Sequence, residues 1–249
     1  MSDARSAQGL PDVTGTTPAE VRSLLCHDFT QDFPAAVEQS LGIDVVVVDM
    51  SGDGYLMAWP GRAAIIAPKT PNWFRQNFSI AHELGHLATD TACEGAFNCQ
   101  GETDANRFAA DLLMPEPELT SIVWTNLDFG VLADRIWRWG VSTDALRRRL
   151  DALKISPGAD VLGEISCTTQ AFLRRRWTMP PGPDAITRRM NAAATRRLPT
   201  SLITALELAV RQGRAPKASL AYALGVDESE IEIDDPPVHD SGLLSLLQG

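Results

Sequence analysis

Two histidines four residues apart, with a glutamate after the first, are the residues of this chain best suited to chemistry: His82-Glu83-Leu84-Gly85-His86. On a helix, positions four apart share a face, so both imidazoles can reach one metal ion, with Zn–N near ~2.0 Å. Glu83 then stands where a carboxylate can take a proton from a water that the metal activates, without binding the metal itself. The opposite stripe, Ile80, Leu84 and Leu87, has the spacing of a face that packs on a core. The same pentapeptide also occurs on ordinary surface helices, but the chain has only four histidines, His27, His82, His86 and His239, and half of them fall at ligand spacing. A catalytic zinc needs a third protein ligand and an open fourth position. With no third histidine nearby, the candidates are the acids downstream: Asp90, Glu94, Glu102, Asp104 and Asp111. Glu102 shares a helical stripe with Asn106, Ala109 and Leu113 on a segment stopped by Pro115 and Pro117. Asp104 and Asp111 share another stripe, expected to face solvent. Asp90, one turn beyond His86, is placed to receive a histidine N–H.

The block Phe78-Ser-Ile-Ala-His-Glu-Leu-Gly-His-Leu87, followed by Glu102-Thr-Asp-Ala-Asn-Arg-Phe-Ala-Ala-Asp-Leu-Leu-Met-Pro115, resembles the ImmA/IrrE family of metallopeptidases. The resemblance covers roughly residues 18 to 153. It implies that His82, His86 and Glu102 hold Zn2+ and that Glu83 is the catalytic glutamate. It implies a zincin-like α+β fold, a small β-sheet with an active-site helix, followed by a mostly helical C-terminal region. Members of the family are typically encoded beside a helix-turn-helix repressor, which they cleave or otherwise inactivate. The implied function is therefore a zinc-dependent endopeptidase acting on such a repressor. The alternative within the same resemblance is a zinc-containing regulator that acts by binding alone.

The elements that must position these groups can be read around them. Residues 1–17 are rich in Ser, Thr, Gly, Asp and Pro and read as a flexible tail, with the metallopeptidase domain over 18–154. Asp44-Val-Val-Val-Val-Asp-Met50 is a continuous β-branched run, which predicts a strand buried on both faces. Tyr55–Trp59 and Ala63–Ala67 complete a small sheet. Because zincin-like enzymes commonly bind an extended peptide along an edge strand, the resemblance makes the strand near Ile65 the candidate for substrate addition, the alternative being that it is an interior strand. Tyr55 and Tyr222 are the only tyrosines, and no spacing argument places either in the site. Val131–Trp139, Gly140–Ser142 and Thr143–Leu153 read as helix, turn, helix, with Arg147-Arg-Arg149 on the second helix. That unit could read DNA, but the family carries a similar segment inside its peptidase fold, so direct DNA binding is not expected. Beyond a Ser156-Pro-Gly158 linker, residues 155–226 are predicted helical, over Val161–Trp177, Asp184–Arg196, Leu198–Gln212 and Ala215–Leu224. Residues 227–249 form an acidic tail, with seven acids and no Lys or Arg from Asp227 to Asp240.

Composition bounds what remains. A net charge of −10 and a pI near 4.8 disfavour non-specific nucleic-acid binding, which depends on neutralising phosphates. The cysteines, Cys26, Cys93, Cys99 and Cys167, lack a C-x-x-C pair, so a second zinc site at Cys93 and Cys99 has weak support. The N-terminus has no apolar signal segment, and no apolar run approaches the ~20 residues of a membrane span. The expectation is a cytoplasmic protein with reduced thiols and no membrane association.

Overall fold

The computed structural model describes residues 12–59, 61–89, 99–125, 127–177 and 184–233. The expectations placed on Asp90, Glu94, Cys93 and His239 fall outside the described residues, as does the side chain of Cys99. The fold is α+β, with a three-stranded sheet and twelve α-helices among the described residues. In chain order these are α1 (Pro18–Leu24), α2 (Phe33–Leu41), β1 (Asp44–Val48), β2 (Tyr55–Trp59), β3 (Arg62–Pro68), α3 (Trp73–Ala88), α4 (Cys99–Leu113), α5 (Glu116–Thr120), α6 (Phe129–Trp139), α7 (Thr143–Ala152), α8 (Ala159–Glu164), α9 (Thr169–Arg176), α10 (Ala185–Ala193), α11 (Thr200–Arg211) and α12 (Lys217–Leu224). They form two compact units that divide between Arg197 and Leu198.

Strand order is β1-β3-β2, with β1 parallel and β2 antiparallel to β3. Two sequence expectations change here. The valine run of β1 is not buried on both faces: Val45 and Val47 are buried, while Asp44, Val46 and Val48 are only half-buried. An outer strand with one covered face gives this alternation. Ile65 lies on the central strand, paired on one side with Val45 and on the other with Leu56, so it offers no edge for an added peptide. The outer side of β1 is itself engaged, since Val47 and Arg197 exchange backbone hydrogen bonds of 2.8 and 2.9 Å. The open edge among the described residues is β2.

One side of the sheet is covered by α2 and α3. Phe33, Val37 and Leu41 of α2 and Ile80 and Leu84 of α3 are buried in the same core as Val45 and Ile65. Each such side chain, fully withdrawn from water, contributes about 1.5–3 kcal/mol before ordering entropy is subtracted. Residues 12–17 belong to this unit and are not part of a loose tail: Val13 is fully buried, and the Gly15 N–H donates to Ala88 O at the end of α3. The Thr17 side chain then caps α1 reciprocally with Glu20.

The helix-turn-helix stands where the sequence placed it, with Gly140 left-handed at φ +65° and the Ser142 side chain capping α7. Each arginine of its second helix is paired with an acid. Arg149 is buried, donates to Met114 O and pairs with Asp111, while Arg147 and Arg148 both pair with Asp144. Asp111, expected in solvent, is thus half-buried and spent on a core arginine.

The expected helix over Val161–Trp177 is two helices, α8 and α9. Thr168 caps the second through the Ala171 N–H, and Thr143 at the start of α7 bonds Cys167 O and Thr169 Oγ1, which holds the break in place. Ser156–Gly158 is not a domain hinge, because the Gly158 N–H is fixed to Trp124 O and α8–α10 belong to the first unit. The first compact unit thus runs past Lys154 to Arg197. The second unit has α11 and α12 joined through Gly213 at φ +68°, followed by an Asp227–Glu230 capping box inside the acidic stretch. Cys26 and Cys167 are free thiols. No described helix is long and apolar enough to cross a membrane.

Candidate metal site

The site is built where α3 and α4 come closest. That approach depends on Gly85, inside the H-E-x-x-H run. A Cβ at Gly85 would lie 2.9 Å from Ala105 Cα and 3.0 Å from Ala105 O. Small residues on both helices, Ala81, Gly85, Ala105 and Ala109, let the backbones approach and bring the first turn of α4 over the histidine face of α3. Gly85→Ala must push α4 outward. Overpacking of this kind costs about 1–3 kcal/mol, so urea unfolding should show a lower midpoint, with the acid on α4 displaced and metal affinity weakened as well. An unchanged midpoint with unchanged metal affinity would contradict the close approach.

Across this contact His82, His86 and Glu102 converge. His82 Nε2 lies 3.0 Å from His86 Nε2, and each lies 3.3 Å from a Glu102 carboxylate oxygen. Ligands at ~2.0 Å around a tetrahedral zinc are separated by about 3.3 Å. The three donors thus form one face of such a tetrahedron, and the chemistry of the set, two imidazoles and one carboxylate, suits a divalent metal. Asp104 stays beside Arg107 and Asp111 beside Arg149, so neither joins the cluster.

The sequence reading gave Asn106 no role, and its Oδ1 lies 3.1 Å from His82 Nδ1. An amide oxygen accepting from Nδ1–H holds the ring in the tautomer whose Nε2 lone pair faces the cluster. The signal was present: Asn106 follows Glu102 by four residues on the same stripe. Burial, reinforced by the neighbouring His82, holds the His86 imidazole below its ordinary value, which favours the neutral ligand form.

Glu83 points to the other side of the cluster, toward the sheet. It is 7% exposed, and the Leu56 backbone N–H on the open edge of β2 donates to its carboxylate. Gly54, at φ +155°, makes room: a Cβ there would sit 3.0 Å from Glu83 Oε1. Burial, and then repulsion from Glu102, raise the Glu83 carboxyl from 4.5 to about 7. A group that releases its proton near neutrality is matched to general-base work. It also has a stability consequence. The folded state binds the extra proton between the unfolded value of 4.5 and the folded value of about 7, so the contribution of Glu83 to stability falls as pH rises through that window. The full shift corresponds to about 3 kcal/mol at most. In metal-stripped protein, Glu83→Gln should therefore gain stability over wild type at pH 8 but not at pH 5. A gap of equal size at both pH values would contradict the assignment.

The cluster opens into a cavity of about 600 Å³, also lined by Tyr55, Leu56 and Arg75. Tyr55, which no sequence argument placed, is half-exposed at the start of β2 on the wall of this cavity. Tyr222 belongs to the second unit.

Residues 39–151 match the family model described as the IrrE N-terminal-like domain, Peptidase_M78. No curated protein matches the chain.

Proposed function

The chain belongs to the Peptidase_M78 family through its IrrE N-terminal-like domain at residues 39–151, and from that premise we propose that it is a zinc-dependent endopeptidase whose substrate is a helix-turn-helix repressor. The observation that carries the reading is the triangle of His82 Nε2, His86 Nε2 and the Glu102 carboxylate, at 3.0 and 3.3 Å, with Glu83 beside it and outside it. When bound, zinc supplies Lewis acidity toward a peptide carbonyl and lowers the pKa of water toward ~7.

The chain's own groups do the rest. Glu83 takes the proton from the attacking water and returns it to the leaving amine. The Leu56 N–H donates to this carboxylate, which borders the cavity. Asn106 keeps His82 in register. Tyr55, on the wall of the cavity, offers a hydroxyl donor for charge that develops on the substrate oxygen. The open edge of β2 is the surface along which an extended substrate would add. Leu56 turns its outward N–H to Glu83, and Ala58, two residues on, turns the same way along the strand. A peptide paired there would pass the cluster in extended form, with its scissile carbonyl near the histidines. The repressor as partner rests on the family resemblance.

The test uses the full chain with one equivalent of zinc and a helix-turn-helix repressor from its gene neighbourhood as the candidate substrate. The expectation is discrete fragments that disappear when a zinc chelator is added and return when zinc is restored. Cleavage that survives exhaustive chelation would contradict the metal-dependent reading.

A further inference from the structure

The strand that borders the metal site, β2, reads Tyr55-Leu-Met-Ala-Trp59 and holds no charged residue and no proline. Open sheet edges are usually protected from chance pairing by charges, prolines or bulges. The register of β2 on β3 runs without a bulge from Tyr55 to Trp59, so this edge carries none of those devices.

The two faces of the strand differ. Leu56 pairs with Ile65, and Ile65 with Val45, in the core beneath α2 and α3. Strand alternation sends Tyr55, Met57 and Trp59 to the opposite face. There they are 58%, 50% and 39% exposed, the pattern of a surface that awaits contact. Ile66 and Val46 lie half-buried beside them on the same face. Among the strand residues of this face only Arg62 and Asp44 are charged, and they pair with each other at 2.8 Å. Contiguous apolar side chains left exposed in this way mark a surface that meets a partner.

The edge is continuous with the metal site. Leu56 donates its outward N–H to Glu83, Ala58 turns the same way, and Tyr55 and Leu56 line the cavity into which the cluster opens. A peptide paired along this edge is therefore sorted residue by residue. Its residues opposite Leu56 and Ala58 point to the side of α3. Those opposite Tyr55, Met57 and Trp59 point to the open face, with Cβ atoms ~4.5–5.5 Å from the facing ones.

Resting on the peptidase activity proposed above, we propose that Met57 and Trp59, together with Tyr55, are specificity-determining residues that select an extended substrate segment with aromatic or β-branched residues at alternate positions. Aromatic pairs and aromatic–β-branched pairs across strands are favourable, and the Met57 thioether adds contact with aromatic rings. A charged residue or a glycine at those positions gains nothing from the three side chains. The intervening residues face the helix and the metal and do not meet this surface. What is recognised is thus the order of the segment, apolar residues with a period of two, and not its apolar content.

The test uses two fluorescein-labelled peptides of identical composition. In Ser-Phe-Thr-Val-Ser-Phe-Thr the apolar residues share one face of a strand; in Phe-Ser-Thr-Phe-Ser-Thr-Val neighbouring apolar residues fall on opposite faces. Binding is read by fluorescence anisotropy on the zinc-loaded full chain carrying Glu83→Gln, which holds the peptide without turnover. The alternating peptide should bind at least tenfold more tightly. Met57→Thr and Trp59→Thr each keep a strand-favouring residue at an exposed position. Each should reduce that preference by about two- to fivefold, the scale of a single cross-strand pair, and the double variant should remove most of it. Equal binding of the two peptides, no binding of either, or a preference that survives the double substitution overturns the proposal. So does a wild-type chain that sediments as a dimer and becomes monomeric with Met57→Thr or Trp59→Thr, because a second copy then occupies the edge. The peptidase activity is decided separately by repressor cleavage: cleavage together with equal binding of the two peptides keeps the activity and removes the selection, whereas ordered binding without repressor cleavage does the reverse.

Discussion

Glu102→Ala is expected to leave a folded chain that no longer retains zinc through dialysis. The Glu102 side chain is half-exposed, with its carboxylate on the two histidines, so truncation removes little packing. Loss of a partner one step removed from a metal already weakens binding by ~10–100-fold, and loss of a direct ligand should exceed that. In wild type, zinc at about a hundred times its dissociation constant should stabilise the fold by about 2.7 kcal/mol. For a domain of this size that is a rise of roughly 5–10 °C in Tm. The variant should show no such rise, while its metal-free Tm stays close to that of metal-free wild type. The comparison is elemental analysis together with thermal unfolding, with and without zinc. Full zinc retention in Glu102→Ala would move the third ligand to another acid.

The second large effect falls on rate and spares the metal. Glu83→Gln keeps the shape of the side chain and an oxygen for the Leu56 N–H but cannot take a proton. Loss of a general base typically lowers rate by ~10²–10⁴-fold. Because Glu83 points to the sheet side of the cluster and is not one of the three converging donors, zinc content should stay near that of wild type. Steady-state cleavage and elemental analysis on the same preparation check both halves. A variant that loses zinc and activity together would show that Glu83 is a ligand.

The parts of this site legible in the sequence are those fixed by helical spacing. His82 and His86 are one turn apart on any helix, and Glu102 and Asn106 are one turn apart on the next. The resemblance named Glu102, and the structure brings that acid to the histidines. What spacing could not deliver was set by contacts between elements. Gly85 reads in sequence as a filler inside H-E-x-x-H, yet it sets the distance between α3 and α4. Strand order decides whether Ile65 or Tyr55–Trp59 borders the site, and three short strands do not announce which is central. Asp111 reads as a solvent-facing acid until Arg149, far along the chain, is turned inward to meet it. The extent of the first compact unit is set in the same way: Pro-Gly at 157–158 signals a linker locally, but Arg189 on α10 reaches the carbonyls of Thr30 and Trp137 and ties the later helices into that unit.

The central claim is that the chain inactivates its partner by hydrolysis and not by docking alone. It is tested most directly by a paired measurement in wild type and Glu83→Gln: the appearance of new repressor termini by mass spectrometry, and release of the repressor from its operator. The account predicts new termini and release with wild type. With Glu83→Gln it predicts binding of the repressor but neither termini nor release. Release that survives the substitution undiminished, with no new termini from either protein, would contradict it.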